Sequence, residues 1–283
     1  MNQPEIRVMT HGDIDFVMKL QEMVGWGNTR ADAERSLYYE PHGCFIASVD
    51  GIDVGIVNSF LYGEVGFIGN LIVLPDTREK GVGATLMKMA MERLTSEGAG
   101  TIRLDGVQKA IPLYERLGFR GEYWSLRFSS VAAKCPHRGI EPMVREDLGQ
   151  VVRLDRRFFG LDREQKLRRV QHDFSDLCFK ASKGGEIRGY IMAKPGISNV
   201  RVGPWICDPK YGELAEPLLN ALTSKVEGRK IWVGLPELNK ASVKIMEGKG
   251  FTQMPSSLRM CFGACKKVED ATGIFGVGAP DKG

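Results

Sequence analysis

The chain has 283 residues, a length that suggests roughly two domains, and its 43% hydrophobic and 26% charged residues are ordinary for a soluble globular protein. No apolar run approaches the ~18 residues of a membrane-spanning helix, and the N-terminus lacks a secretory signal pattern, so we expect a cytoplasmic protein without membrane contact. Residues 1–130 contain 13 Lys and Arg against 17 Asp and Glu, whereas residues 131–283 contain 26 against 18, which indicates a boundary between the two parts.

In the first half, short segments with strand and helix patterns alternate along the chain. Asp13 and Thr29 precede two of the helical segments and are the expected N-caps, while Asp50-Gly51 is a typical hairpin turn. The predicted order is strand 5–10, helices 13–24 and 29–40, a hairpin over 44–60, strand 66–74, helix 83–98, strand 101–105, helix 109–118 and strand 120–129.

The second half repeats this order, although the two halves share little residue identity. Its predicted order is strand 140–144, helices 145–160 and 162–173, a hairpin over 176–194, strand 200–208, helix 212–226, strand 230–236, helix 239–250 and strand 256–264. We therefore predict one domain at 1–130, a linker at 131–139, a second domain at 140–265 and a loose tail at 266–283.

The six cysteines and four histidines are scattered along the chain. The cysteines include no CxxC pair and the histidines show no metal-ligand spacing, so we expect neither a disulfide framework nor a metal site. The cysteines are interpreted as small buried apolar residues.

The segment "LPDTREKGVGATL", residues 74–86, places two glycines between a predicted strand and a predicted helix. The glycines are either turn residues, or they allow backbone N–H groups to approach an anion at the start of the helix. The spacing Val73, Pro75, Arg78, Gly81 and Gly83 fits the pattern V-x-P-x-x-R-x-x-G-x-G. A later segment reads "LYERLGF", residues 113–119.

These two motifs, in this order of strands and helices, resemble the GNAT acetyltransferase superfamily. The resemblance covers residues 5–130 and implies an α/β (α+β) fold with two tandem GNAT-like domains. Each domain would be a mixed, mostly antiparallel, splayed sheet flanked by helices. The second half is similar to a degenerate GNAT domain, in which "DPKYGELAEPLL" stands at the place of the glycine loop and Glu213 and Glu216 would repel phosphate.

The resemblance implies acetyl-CoA as cosubstrate, bound in the first half only. Free N–H groups and the helix dipole would stabilise the pyrophosphate of the coenzyme, and the adjacent strand would pair with its pantetheine arm. The implied coenzyme-binding residues are Leu71, Ile72, Val73, Arg78, Glu79, Lys80, Gly81, Val82, Gly83 and Ala84.

Tyr114 matches the tyrosine that lies near the acetyl-CoA sulfur in the family, where a phenol can protonate the leaving thiolate. Its alternative role is helix packing. For the general base, Glu64, Asp105 and a water chain stay open. Candidate residues lining the amine pocket are aromatic: Trp26, Tyr38, Tyr39, Tyr123 and Trp124.

The predicted function is transfer of an acetyl group from acetyl-CoA to an amine by direct attack in a ternary complex. The expected acceptor is a small-molecule amine, and a protein amine is the alternative. A non-catalytic acyl-CoA-binding sensor is the rival function. The seven basic residues between Arg153 and Arg169 are an anion-binding wall, a nucleic-acid contact or a solvated helix face, and we expect no nucleic-acid partner because the stretch belongs to no known nucleic-acid-binding module.

Overall fold

The computed structural model describes residues 3–279, which form two compact units. Unit 1 comprises residues 3–122 and 259–266, and unit 2 comprises residues 123–258 and 267–279. These ranges differ from the linear division predicted from the sequence, because each unit includes a short strand segment from the other half of the chain. Such an exchange leaves no trace in the hydrophobic pattern, since alternation along a strand is the same in either sheet.

Unit 1 is a mixed sheet flanked by helices, in which consecutive strands β1 to β4 pair antiparallel and β4 pairs parallel with β5. Its helices are α1 (Ile14–Met23), α2 (Arg30–Tyr39), α3 (Val82–Ser96) and α4 (Ile111–Arg116). Its strands are β1 (Glu5–Val8), β2 (Cys44–Val49), β3 (Ile52–Tyr62), β4 (Val65–Val73) and β5 (Thr101–Val107), with the start of β6 (Arg120–Val131) and the end of β12 (Thr252–Gly263).

Unit 2 has the same architecture, with the strand order β6-β11-β10-β9-β8-β7 and one parallel pair, β10 with β11. Its helices are α5 (Leu148–Phe159), α6 (Glu164–Asp173), α7 (Ala215–Lys225) and α8 (Lys240–Gly248). Its further strands are β7 (Ile140–Pro142), β8 (Cys178–Lys183), β9 (Glu186–Pro195), β10 (Val200–Cys207), β11 (Lys230–Pro236) and β13 (Ile274–Gly276). The mostly antiparallel, helix-flanked sheets confirm the predicted fold class.

The last strand, β13, lies within the segment 266–283 that was predicted as a loose tail. That prediction is wrong for this part of the tail, because Ile274 and Phe275 are 5% and 1% exposed. Residues 280–283 lie outside the described residues. The segment has no long apolar run, so its sequence gave no signal of a buried strand.

The two predicted hairpin turns are confirmed. Asp50 and Gly51 have φ values of 51° and 76°, and Gly184 and Gly185 have values of 62° and 78°. Positive φ at both central residues is typical of the type I′ turn, whose twist matches that of the flanking strands. The turns therefore fix the register of β2 with β3 and of β8 with β9.

Of the two predicted N-caps, one is confirmed. Thr29 accepts a hydrogen bond from the Asp32 backbone N–H and completes a capping box. Asp13 does not cap α1: its carboxylate accepts hydrogen bonds from Thr10 and from the Arg7 guanidinium, and the Arg7 hydrogen bond lowers the pKa of Asp13 to about 2. The cationic partner Arg7, six residues upstream on the first strand, was not visible in the local pattern.

The helices of unit 1 bury apolar faces against the sheet. Side chains of α1 and α2 pack with Ile46, Ile56 and Ile72, and α3 packs against β3 and β4. Cys44, Cys178 and Cys207 are buried, as expected, but Cys261 and Cys265 form a disulfide that was not predicted from the sequence. In the part of the chain that the structure describes, no helix is long and apolar enough to cross a bilayer, and no cluster of His, Cys, Asp or Glu could hold a metal ion.

Candidate active site

The two parallel strands of unit 1 separate after a short paired region. β4 pairs with β5 only where residues 65–67 lie beside residues 101–103. Beyond Phe67, no strand within residues 3–279 pairs with this edge of β4, while β3 continues along its other edge to Val73. The backbone of Leu71, Ile72 and Val73 therefore borders an opening in the sheet, where an extended amide-bearing molecule could pair with it.

A bulge in β4 lies at the start of this opening. Two residues, Asn70 and Leu71, stand opposite the single residue Val57 of β3, and Asn70 has a φ of 52°. A bulge bends a strand and redirects the residues that follow it. Sequence analysis missed this feature, although a glycine inside a strand pattern, here Gly69, is a recognised signal of a bulge.

The glycine loop after β4 presents a row of backbone donors. Gly81 is the N-cap of α3 with φ of 84°, and Glu79 also has a positive φ, of 61°. Among residues 3–279, nothing accepts a hydrogen bond from the six backbone N–H groups of residues 79–84. Six unpaired donors at the positive end of a 15-residue helix form a site suited to a phosphate group.

The basic side chains of the loop are tied to the loop backbone. The Nε of Arg78 donates to the Val73 carbonyl at 3.0 Å, and the Nζ of Lys80 donates to the Asp76 carbonyl at 2.6 Å. In this arrangement Arg78 joins the loop to the end of β4. Its contribution to an anion site is therefore to position the loop and to add positive charge nearby.

Tyr114 lies on α4, and its ring packs against the backbone of Gly106 on β5. A Cβ atom placed on Gly106 would lie 3.0 Å from the ring, and the ring makes an edge contact with Phe119 at 6.2 Å between centroids. Tyr114 is 8% exposed, and burial raises its pKa to about 12. Within residues 3–279 no group hydrogen-bonds its hydroxyl, so the phenol is a protonated donor available to a ligand.

The two carboxylates considered as general bases are engaged elsewhere. Asp105 is 1% exposed and accepts hydrogen bonds from Arg259 Nε and Nη2 at 2.7 and 3.3 Å. Glu64 is 74% exposed and pairs with Lys266 at 2.8 Å, which lowers the pKa of Glu64. Glu64 also precedes β4, roughly 20 Å along the strand from Asn70 at ~3.3 Å per residue. Both carboxylates are thus engaged in ion pairs, and the choice of general base stays a prediction.

The aromatic residues predicted to line the amine pocket belong to different units. In unit 1, Trp26 packs against the core beside α1, and Tyr38 is 58% exposed with its ring 5.7 Å from that of Tyr39. In unit 2, the Tyr123 hydroxyl donates to Glu269 at 2.5 Å, and Trp124 exchanges two hydrogen bonds with Glu237 through its backbone. Of these five residues, Trp26, Tyr38 and Tyr39 lie in the same unit as the glycine loop, and Tyr123 and Trp124 do not.

The segment of unit 2 that follows β10 lacks part of such a row, because Pro217 has no N–H and the Ala215 N–H donates to the Gly212 carbonyl. The Asp208 side chain accepts from the Lys210 N–H at 3.1 Å, and its carbonyl accepts from the Tyr211 N–H at 2.8 Å. Asp208 is 2% exposed, and its carboxylate caps the short 3-10 helix Pro209–Leu214 that precedes α7. The repulsion expected from Glu216 is partly neutralised by Lys249 at 3.3 Å.

The basic stretch of unit 2 is largely paired with carboxylates. Ion pairs join Arg156 to Asp162 and Arg157 to Asp208. Three more lie in the same stretch: Arg163–Asp155, Arg168–Glu164 and Arg169–Asp173. Because most of these cations already have a carboxylate partner, the contacts favour a solvated helix face over an anion-binding wall or a nucleic-acid contact.

Comparison with protein families gives two matches along this chain. Residues 16–119 match the model of the acetyltransferase (GNAT) family, and residues 151–276 match the model of an acetyltransferase (GNAT) domain. The two matches lie one in each half of the chain, and together they support a tandem arrangement.

Among individual proteins, an acetyltransferase of Sodalis glossinidius is 30% identical over 122 residues, which are 41% of this chain and 86% of that protein. YitH of Bacillus subtilis, an uncharacterized N-acetyltransferase, is 20% identical over 219 residues, 76% of either chain. A crystal structure of a candidate acetyltransferase from Pyrococcus horikoshii superposes with a TM-score of 0.85 at 23% identity, covering 100% of this chain and 97% of that one. The last similarity shows that the fold extends over the whole chain.

Proposed function

The chain belongs to the GNAT family of acetyltransferases, and from this we propose that unit 1 transfers the acetyl group of acetyl-CoA to an amine by direct attack in a ternary complex. The observation that supports this most is the row of unpaired N–H groups at residues 79–84. Backbone donors at a helix N-terminus bind a pyrophosphate without any specific side chain, which suits a coenzyme.

The residues of the opening fit the rest of the coenzyme. The pantetheine arm contains amides, and the edge of β4 at Leu71, Ile72 and Val73, where only the Val73 carbonyl is engaged by Arg78, offers backbone groups to pair with them. Gly81 and Gly83 have no side chain, so phosphate oxygens can approach the loop closely. Arg78 and Lys80 add positive charge on the exposed side of the loop.

Tyr114 is the proposed general acid. Acetyl-CoA supplies an activated acyl group as a thioester; the amine nitrogen bonds to the acyl carbon, and the carbon–sulfur bond breaks. The Tyr114 hydroxyl gives its proton to the departing sulfur, and water takes the proton that the amine loses. A phenol that stays protonated at neutral pH, as the raised pKa of Tyr114 requires, is suited to this role.

The proposed acceptor is a small-molecule amine, with a protein amine as the alternative. Trp26, Tyr38 and Tyr39 stay candidates for its pocket in unit 1, and the assignment of Tyr123 and Trp124, which belong to unit 2, stays a prediction from the sequence. Unit 2 is proposed to bind no coenzyme, because in residues 213–218, which correspond to 79–84 when Pro209 is aligned with Pro75, Pro217 has no N–H and the Ala215 N–H already donates to the Gly212 carbonyl.

The coenzyme site is tested by titrating acetyl-CoA into the full chain in a calorimeter. Gly81→Val places a branched side chain at a positive φ in the proposed phosphate loop, and the loss of hydrogen bonds to a charged group should raise Kd at least ~10-fold. Gly98→Val is the matched control, because Gly98 has a φ of 99° and open surroundings at the other end of α3. Equal affinities of the two variants would contradict the site.

Transfer itself is tested by release of free thiol from acetyl-CoA across a panel of amines. We expect release that depends on the added amine and on an intact glycine loop. Tight coenzyme binding with no release on any amine, whether small molecule or peptide, would contradict the proposed transfer and would favour a binding protein.

A further inference from the structure

Unit 2 contains a strand, β13, that has no counterpart among the described residues of unit 1, and this strand fills the opening in the sheet of unit 2. β10 pairs with β11 only over Val200–Val202, three residues, as β4 does with β5. Beyond that point β13 runs antiparallel to β10, pairing with Trp205 and Ile206. On its other side, the Val277 N–H donates to the Gly234 carbonyl of β11 at 2.8 Å.

The two openings correspond residue by residue. A proline stands two positions after each strand, Pro75 after β4 and Pro209 after β10. Counting back from these prolines, Trp205 and Ile206 take the places of Leu71 and Ile72. The tail of the chain thus pairs with the backbone that, in unit 1, is proposed to receive the coenzyme arm; this correspondence rests on the proposed function of unit 1.

Side chains of unit 2 hold the tail by its carbonyl groups. Asn239, which is 3% exposed, donates from Nδ2 to the carbonyls of Thr272 and Ile274 at 3.1 and 2.9 Å. The Ser242 hydroxyl donates to the Phe275 carbonyl at 2.7 Å. Contacts to successive backbone carbonyls recognise an extended peptide rather than a particular sequence.

The apolar side chains of the tail add shape to this recognition. The Phe275 ring, 1% exposed, lies 5.3 Å from the Trp205 ring. Gly273 packs so closely that a Cβ atom there would lie 2.2 Å from the Phe158 ring. The opening therefore accepts a peptide with an aromatic residue and a glycine at fixed positions.

We propose that residues 270–277 are a resident peptide ligand of unit 2, seated where the sheet of a GNAT unit is otherwise open. The opening in unit 2 is accordingly a binding site for an extended peptide, and the chain supplies that peptide itself. Its occupation closes unit 2 to acyl-CoA and to other extended chains. The altered loop of unit 2 and the presence of the tail then have the same consequence: both keep the coenzyme from binding to unit 2.

The first test uses the full chain and hydrogen exchange. Gly273→Ala keeps an ordinary backbone conformation but collides with Phe158, and should speed exchange of the Val277 amide at least ~10-fold. Gly212→Ala, in unit 2 with nothing within 4 Å of the added Cβ, is the matched control and should leave that exchange unchanged. Fast exchange of Val277 in the unaltered chain, or equal exchange in both variants, would overturn the proposal.

The second test supplies the tail separately. A chain ending at Glu269 should bind a labelled synthetic peptide of residues 268–279 with one site, while a chain ending at Ala279 should bind it at least ~10-fold more weakly, because its own tail competes. Replacing Phe275 by Ala in the peptide should weaken binding about 100-fold. A truncated chain that still binds acetyl-CoA but not the peptide overturns the proposal, and loss of acetyl-CoA binding in the full chain counts only against the proposed function.

Discussion

The two units share one architecture and differ in what occupies the gap between their parallel strands. Within residues 3–279, the gap beside Leu71–Val73 in unit 1 contains no strand, and the N–H groups of residues 79–84 are unpaired. In unit 2 the gap contains β13, and in the corresponding loop Pro217 has no N–H and the Ala215 N–H donates to Gly212. Under the proposed function, the two units differ in coenzyme binding because of two short segments and not because of their fold.

The parallel strands also differ in charge. Aligning the first paired residues, Thr101 of β5 with Ile231 of β11, places Asp105 at the position of Leu235. Asp105 forms a buried ion pair with Arg259, whereas Leu235 belongs to an apolar core cluster. Unit 1 thus depends on buried charges where unit 2 depends on apolar contacts.

The largest effect expected from this comparison concerns Tyr114, whose position in "LYERLGF" corresponds to Met246 in "IMEGKGF" of unit 2. Tyr114→Phe keeps the ring and removes the proton, so kcat should fall ~10²–10⁴-fold while acetyl-CoA affinity stays nearly unchanged. Tyr62→Phe, a buried tyrosine at the end of β3, is the control. A kcat for Tyr114→Phe within a factor of about three of the unaltered chain would assign Tyr114 to packing alone.

The next effect concerns Asp105. Asp105→Asn leaves the Arg259 guanidinium buried without its counter-charge, so the free energy of unfolding should fall by about 3–5 kcal/mol in a urea titration. Glu64→Gln, at an exposed pair, should leave stability unchanged. If Asp105→Asn instead kept its stability and lost kcat in the folded state, Asp105 would be the base.

A smaller effect is expected at the basic stretch of unit 2. Arg156 and Asp162 are both more than half exposed, so Arg156→Ala should cost at most ~1 kcal/mol in thermal unfolding. Acetyl-CoA affinity and the KM for the amine should stay within about twofold, since screened surface charges contribute little. A severalfold rise in the KM for the amine would restore the anion-binding interpretation.

The smallest expected effect is the dependence of kcat on pH that comes from Tyr114, the proposed general acid. Burial raises the pKa of Tyr114 from 10.0 to about 12, so the phenol stays protonated in the folded protein until the pH rises well above 10. Between pH 8 and 10, kcat at saturating amine should therefore show no loss that comes from Tyr114. A fall of kcat with an apparent pKa below 10 that disappears in Tyr114→Phe would contradict the assignment.

Much of this organisation could be predicted from local sequence. The hairpins at Asp50-Gly51 and Gly184-Gly185 and the cap at Thr29 are fixed by neighbouring residues, and the structure has them as predicted. The glycine loop could be placed for the same reason. The roles of the site residues stay predictions, because contacts within the chain identify neither the bound molecule nor its reaction.

What could not be predicted depends on contacts distant in sequence. Asp105 meets Arg259 across 154 positions, and a carboxylate alone gives no sign of its partner. The position of β13 depends on hydrogen bonds from Asn239 and on the close packing of Gly273 against Phe158. Neither contact produces a periodic pattern in the sequence. The assignment of residues 259–266 to unit 1 also depends on contacts distant in sequence, so local patterns could not predict it.

The account is tested most directly by the structure of the full chain crystallised with saturating acetyl-CoA. It predicts one coenzyme per chain, with its pyrophosphate on the N–H groups of residues 79–84 and β13 still paired with β10. Coenzyme seated at Asp208–Leu214, or a second molecule that displaces residues 274–276, would contradict it.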